Sequence, residues 1–266
     1  MNYSQYEGLS IEKEGKITVV KINRPEGRNS INYELHASLA RVFGDLACDE
    51  DTWVVVLTGA GKNFAAGADI NWFKRHIENP EANPMAPMGD AIKILQGIID
   101  LPRPVIAAVN GAAIGLGASL ALACDIIIAA EDARIADPHV NMGLAAGDGG
   151  CVLWPLLMGL AKAKEYLFTG APLDIKEAER LGIINRVVPP DQLMSEAMAF
   201  ANRLINDVSP LAVKNTKMAI NKLVRERLNL ILPTSVILEY ALFSSNDHKE
   251  AVNAFLEKRR PNFNGT

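Results

Sequence analysis

One stretch limits what this chain of 266 residues can become. From Val105 to Asp125 it reads V-I-A-A-V-N-G-A-A-I-G-L-G-A-S-L-A-L-A-C-D, with no charge before its last residue. Val105 to Val109 predicts a buried strand, and Asn110-Gly111 is a turn dipeptide. Glycines recur at Gly111, Gly115 and Gly117, and an all-small apolar run follows from Ala118 to Ala123. Four or more uncharged turns are expected there, which requires a helix enclosed by protein on every side. Glycines ahead of a helix start let backbone approach a ligand closely, and the first N–H groups of a helix face negative charge. The segment therefore reads as a device for aiming backbone N–H groups at a developing anion.

Around it, strands and helices alternate. Ile17 to Ile22 and Trp53 to Leu57 are apolar strands, and Asn32 to Leu46 has helical spacing with Ser30 or Asn32 as its cap. Phe64 to Ile70 forms a second small-residue turn ahead of a helix. Glu78 to Gly89, with three prolines and two asparagines, reads as an exposed loop, and Asp90 to Ile99 as a helix. Short strands are expected at Asp125–Ala129, Ala133–Ala136 and Ile184–Val188, and helices at Cys151–Met158, Ala161–Phe168 and Ile175–Leu181. Beyond Pro190 the pattern is helical: Asp191–Ile205, Pro210–Leu228, Pro233–Ser244 and Asp247–Arg259. Such alternation implies βαβ units, an α/β class and a largely parallel sheet.

A net charge of -4 gives no general attraction to nucleic acid or to an anionic membrane. Cys48, Cys124 and Cys151 lie far apart, which supports neither a disulfide framework nor a zinc site. The four histidines, His36, His76, His139 and His248, have no paired-ligand spacing, so no metal is expected. A polar start without an apolar core segment, and no apolar run of membrane length, point to the cytoplasm.

Two motifs fail. Gly115-x-Gly117 lacks the third small residue of a dinucleotide fingerprint, because position 120 is Leu. Gly117-Ala118-Ser119-Leu120-Ala121 is close to a nucleophile elbow, with Asp148 and His248 downstream in the order of a serine hydrolase. An elbow, however, needs the strand to run straight into the serine, and here the strand ends near Val109.

With the glycine turns placed, the chain resembles the crotonase superfamily, the enoyl-CoA hydratase/isomerase family. The likeness runs through Asn23-Arg24-Pro25 with Asn29, Thr58-Gly59, Phe64 to Asp69, Pro104 to Gly111, Ala123-Cys124-Asp125, Phe168-Thr169-Gly170 and Phe255 to Arg260. The resemblance implies a ββα spiral core over residues 1–190 and a C-terminal helical trimerisation region over 191–266. It implies an acyl-CoA substrate, with coenzyme A as part of that substrate and no separate cofactor, and a homotrimer or homohexamer. By motif match the oxyanion hole would use the backbone N–H groups of Ala68 and Leu116. One such donor contributes about 3 kcal/mol to lowering the barrier. Leu116 replaces a glycine common in the family, which is tolerable if its backbone angles suit a side chain. Ala66, Asp69 and Ile70 match the adenine-side loop, Arg28 the cation near the CoA phosphates, and Phe255 and Lys258 residues that reach a neighbouring subunit's CoA.

The two glutamates of the typical hydratases are absent. Ser119 stands at the first position and His139 at the second. A serine needs help to act as a base, whereas an imidazole with an ordinary pKa of about 6.5 does not. Asp148, in Gly147-Asp148-Gly149-Gly150, is the remaining carboxylate, as an acid–base group or as the N-cap of the next helix. Enoyl-CoA hydration by Asp148 and His139, with Ser119 positioning water or substrate, is the expected function. The other readings are double-bond isomerisation, hydrolysis or lyase chemistry through Asp148, a non-catalytic acyl-CoA-binding protein, and a serine hydrolase through Ser119.

Overall fold

The computed structural model describes residues 3–79 and 85–266. It opens with a hairpin, β1 (Leu9–Glu14) antiparallel to β2 (Ile17–Ile22). β3 (Val54–Gly59), β4 (Val105–Val109), β6 (Ile126–Ala130) and β8 (Arg186–Val188) extend it in parallel, in the order β1-β2-β3-β4-β6-β8. The V-V-V-L and V-I-A-A-V runs have no polar face because the sheet is covered on both sides. β5 (Ala112–Ile114) and β7 (Arg134–Ala136) form a second, two-stranded parallel sheet. β1 and β5 were not expected from the sequence. β1 mixes charges into its alternation, and β5 lies inside the glycine-rich turn.

Asn32 caps α1 (Tyr33–Cys48), its side chain accepting from the Leu35 N–H. Leu35, Leu39, Val42, Phe43 and Leu46 bury one stripe of that helix, each side chain contributing about 2 kcal/mol. Asp69 caps α2 (Ile70–Glu78). α3 runs from Met85 to Asp100, so the expected loop over 78–89 is helix at both ends, and its residues 80–84 lie outside those described.

α4 (Leu116–Leu122) is shorter than expected. It has two turns, not four, and all seven residues are buried. α5 (Gly150–Met158), α6 (Leu160–Thr169) and α7 (Ile175–Arg180) follow. α8 (Leu193–Asn206) places Leu193, Ala197 and Ala201 in the main core, so the core does not stop at residue 190.

The two helices expected over 210–244 are one, α9 (Pro210–Leu242). Pro233 lies inside it because the proline and Asn229, whose carbonyl loses its donor, are both exposed and water can serve that carbonyl. Lys217 of α9 is buried. Its Nζ meets Asp125 Oδ2 at 2.7 Å and donates to the carbonyls of Ile98 and Arg103, which ties α9 to the end of the central segment. Ser245 caps α10 (Asn246–Glu257), and the tail folds back so that the Asn246 N–H donates to the Thr266 carbonyl at 2.8 Å. Among the described residues no single helix is long and apolar enough to cross a membrane, and all three cysteines are free.

Candidate active site

The two glycine turns meet beneath one cavity. The Ala65 N–H donates to the Ala112 carbonyl at 2.8 Å, and the Ile114 N–H donates back to the Ala65 carbonyl at 2.9 Å. A Cβ at Gly117 would sit 2.5 Å from the Ala65 carbonyl oxygen, so only glycine lets the turns approach this closely. Ile31 bridges the first turn on its other side. Its N–H donates to the Gly67 carbonyl, and its carbonyl accepts from the Asp69 N–H. In such a parallel bridge the intervening N–H, that of Ala68, points away, and it has no backbone acceptor among the described residues. Leu116 is the first residue of α4, so its N–H has no intrahelical partner. The left-handed step falls on Gly115, at φ 55°, and not on Leu116, which explains how leucine is accommodated. Ala68 and Leu116 line the same cavity, of about 780 Å³.

Three ionisable groups, His139, Asp148 and Glu239, share that cavity, and a fourth, Asp137, is buried behind them. Asp137 and His139 follow β7, Asp148 lies in the Gly147–Gly150 turn, and Glu239 projects from α9. His139 Nδ1 is 2.5 Å from Asp137 Oδ1, and Nε2 is 3.5 Å from Asp148 Oδ2 and 3.7 Å from Glu239 Oε1. Burial works against charge on His139. The negative charges of Asp137 and Asp148, with hydrogen bonds to both, overcome it and hold the imidazole well above its ordinary value. These charges favour the imidazolium form of His139 beyond what its ordinary pKa would give. Burial pushes the Glu239 carboxyl up to about 8, with the charges of Asp148 and Asp137 adding to burial and His139 pulling the other way. Glu239 is protonated at neutral pH. The cluster thus pairs a neutral carboxylic acid with other carboxylates in one wall, the separation of environments that divides acid from base roles.

Asp148 is not the helix cap. Gly149 occupies that position, without a side-chain bond, which leaves the Asp148 carboxylate for the cavity. Gly147 is needed for Glu239 to enter, since a Cβ there would lie 2.5 Å from Glu239 Oε2. Ser119 is fully buried behind the cavity wall, its hydroxyl 3.4 Å from Asp148 Oδ1, so it positions Asp148 and not water. His248 lies elsewhere. Its Nδ1 bonds the Met142 carbonyl at 2.8 Å and its ring packs against Phe73 and Phe243. No Ser119–His248 pair exists, and the serine-hydrolase reading falls.

Ala66 and Ile70 line the cavity as expected. The Asp69 carboxylate is already occupied, capping α2 and meeting Arg24 Nη2 at 3.3 Å. Arg28 and Lys258 are exposed, left-handed and outside the lining. Phe255, 60% exposed, lines the cavity of its own chain. Asp137, His139 and Asp148 also hold donor atoms within 4.8 Å of one another, close enough for a cation. The imidazolium of His139 already supplies the positive charge between those carboxylates.

Glu239 was missed from sequence, although a signal existed. Leu228, Leu232, Ser235, Val236 and Glu239 share the buried stripe of α9, so the 3.6-residue period places this carboxylate inside.

A pair of unpaired backbone N–H groups opposite an acid–base cluster defines an enzyme that holds a carbonyl while negative charge develops on its oxygen. The family model described as enoyl-CoA hydratase/isomerase matches residues 12–266, and the chain belongs to that family. It is 39% identical over 257 residues to the short-chain-enoyl-CoA hydratase of Clostridium acetobutylicum, covering 96% of this chain and 97% of the relative. An enoyl-CoA hydratase/isomerase structure from Mycobacterium paratuberculosis superposes with a TM-score of 0.89 at 34% identity, covering 94% of this chain and 99% of the other. A β-diketone hydrolase from the cyanobacterium Anabaena, solved with (S)-3-oxocyclohexyl acetic acid, gives 0.84 at 30% identity, covering 91% and 96%.

Proposed function

We propose that this enzyme adds water reversibly across the double bond of a short-chain enoyl-CoA. The observation that carries the reading is the cluster in which His139 Nε2 lies 3.5 Å from Asp148 Oδ2 and 3.7 Å from Glu239 Oε1, in the cavity that the Ala68 and Leu116 N–H groups also line. The thioester oxygen binds both N–H groups. Asp148 takes a proton from water as its oxygen bonds Cβ, and the π electrons move to an enolate held in the cradle. Glu239 gives its proton to Cα as the carbonyl re-forms. His139, between the two carboxyls, passes a proton from Asp148 to Glu239 and restores the starting state. The net change is one water added.

A second reading is favoured by one observation. Neither family glutamate is present, and Ser119 is outside the cavity. The same cradle and cluster would serve hydrolysis of a β-diketone, the activity named for the Anabaena protein. Mass spectrometry after incubation with crotonyl-CoA, and separately with a cyclic β-diketone, distinguishes them. A gain of one water on crotonyl-CoA is expected. An isobaric product means isomerisation, ring-opened acid from the diketone alone means hydrolysis, and unchanged substrates point to a binding protein.

We further infer a cytoplasmic homotrimer or hexamer. Exposed Leu156, Leu160 and Phe168 on α5 and α6, with Leu223, Leu230 and Ile237 on α9, offer apolar surface for self-association.

A further inference from the structure

Another part of the cavity wall is built by α1, α2 and α3, and among the described residues one polar side chain there has no hydrogen-bond partner. His36 of α1 lines the cavity and is 5% exposed. Its ring stands edge-on to Trp72 of α2, with centroids 5.4 Å apart, and Tyr33 packs against the same indole. Among the described residues neither ring nitrogen of His36 has a hydrogen-bond partner. Its own N–H is fixed to the Asn32 carbonyl at 2.9 Å, so the side chain is held in place by the first turn of the helix. Buried polar groups are hydrogen-bonded as a rule, and an exception inside a binding cavity points to the ligand.

Charge narrows the choice. Burial holds the imidazole down at about 4, against the opposing charges of Asp90 and Asp148. The ring is neutral at physiological pH and offers one N–H donor and one bare nitrogen acceptor. It suits a neutral oxygen and does not suit a carboxylate, which the carboxylates of the cluster would also repel.

We propose that His36 is a specificity-determining residue that hydrogen-bonds a keto or hydroxyl oxygen on the acyl chain, so that the preferred acyl-CoA carries a second oxygen beyond its thioester carbonyl. The inference rests on the acyl-CoA reading above. A site built to bond a substrate oxygen rejects the analogue lacking it, because its own polar group is left bare.

Titration calorimetry with unreactive esters tests this. Hexanoyl-CoA is compared with 4-oxohexanoyl-CoA and 5-oxohexanoyl-CoA. Wild type binds at least one oxo ester about tenfold or more tightly than hexanoyl-CoA. His36→Phe erases the preference by weakening the oxo ester, with hexanoyl-CoA held within about twofold, and His36→Gln restores part of it. His36→Gln also stands in should the phenylalanine variant fail to fold. Equal affinities in wild type, or equal losses for both ester classes, overturn the proposal. Discrimination in binding without turnover of any enoyl-CoA overturns hydration alone. Failure of every CoA ester to bind overturns both.

Discussion

Replacing Glu239 by glutamine is the perturbation whose outcome the structure fixes most closely. Glu239 is 6% exposed, its Oε2 has no hydrogen-bond partner among the described residues, and burial pushes its pKa up to about 8. An unfolded glutamate loses its proton near 4.5, the ordinary value. Between those two pH values the unfolded chain releases a proton that the folded chain keeps, so folding stability falls as pH rises. Integrating that difference from pH 5 to pH 8 gives a loss of about 3 kcal/mol from this one group. His139 adds a loss of the same sign as pH climbs above 6.5, because its folded pKa is also raised. Glutamine keeps the shape and cannot ionise. Urea unfolding at pH 5, 6, 7 and 8 will therefore show a shallower pH slope for Glu239→Gln than for wild type, the two curves drawing apart by about 3 kcal/mol at the alkaline end. Parallel curves would refute a buried, protonated Glu239. The same variant loses about a hundredfold or more in kcat, since it donates a hydrogen bond but no proton.

Three other outcomes follow from the geometry. Gly117→Ala pushes the Ala65 turn away and spoils the cradle, lowering kcat about a hundredfold with ligand Kd nearly unchanged, read by steady-state kinetics beside calorimetry. Asp137→Asn removes the nearest charge holding the proton on His139. The pKa of that imidazole, followed by NMR titration, falls by a unit or more towards about 6.5, and an unmoved value would contradict the pairing. Ser119→Ala costs less than about tenfold in kcat/KM, because the hydroxyl only braces Asp148 at 3.4 Å. A nucleophilic serine would lose nearly all activity.

Where backbone carries the function, the sequence was readable. The glycines before α4 and around residue 67 announce a close approach of main chain, and the structure brings those two turns together. Leu116 fitted because the strained step belongs to Gly115. The acid–base groups were harder. Asp148 and His139 stand in short motifs and could be named, but their protonation depends on neighbours far away in sequence. His139 was expected to work at its ordinary pKa, and the charges of Asp137 and Asp148 raise that value. Glu239 comes from a helix that reads as an amphipathic appendage, and only its register on the buried stripe separates it from a surface glutamate. Pro233 misled in the opposite direction, since an exposed carbonyl one turn earlier removes the usual reason for a helix to stop.

The central claim is that the Ala68 and Leu116 N–H groups hold a thioester oxygen in front of the Asp148, His139 and Glu239 cluster. A crystal structure with a non-hydratable acyl-CoA bound tests it directly. The thioester oxygen is expected about 2.7–3.2 Å from both backbone nitrogens, with Cα and Cβ turned towards Glu239 and Asp148. A thioester oxygen bonded to neither nitrogen, or an acyl chain directed away from those carboxyls, would contradict it.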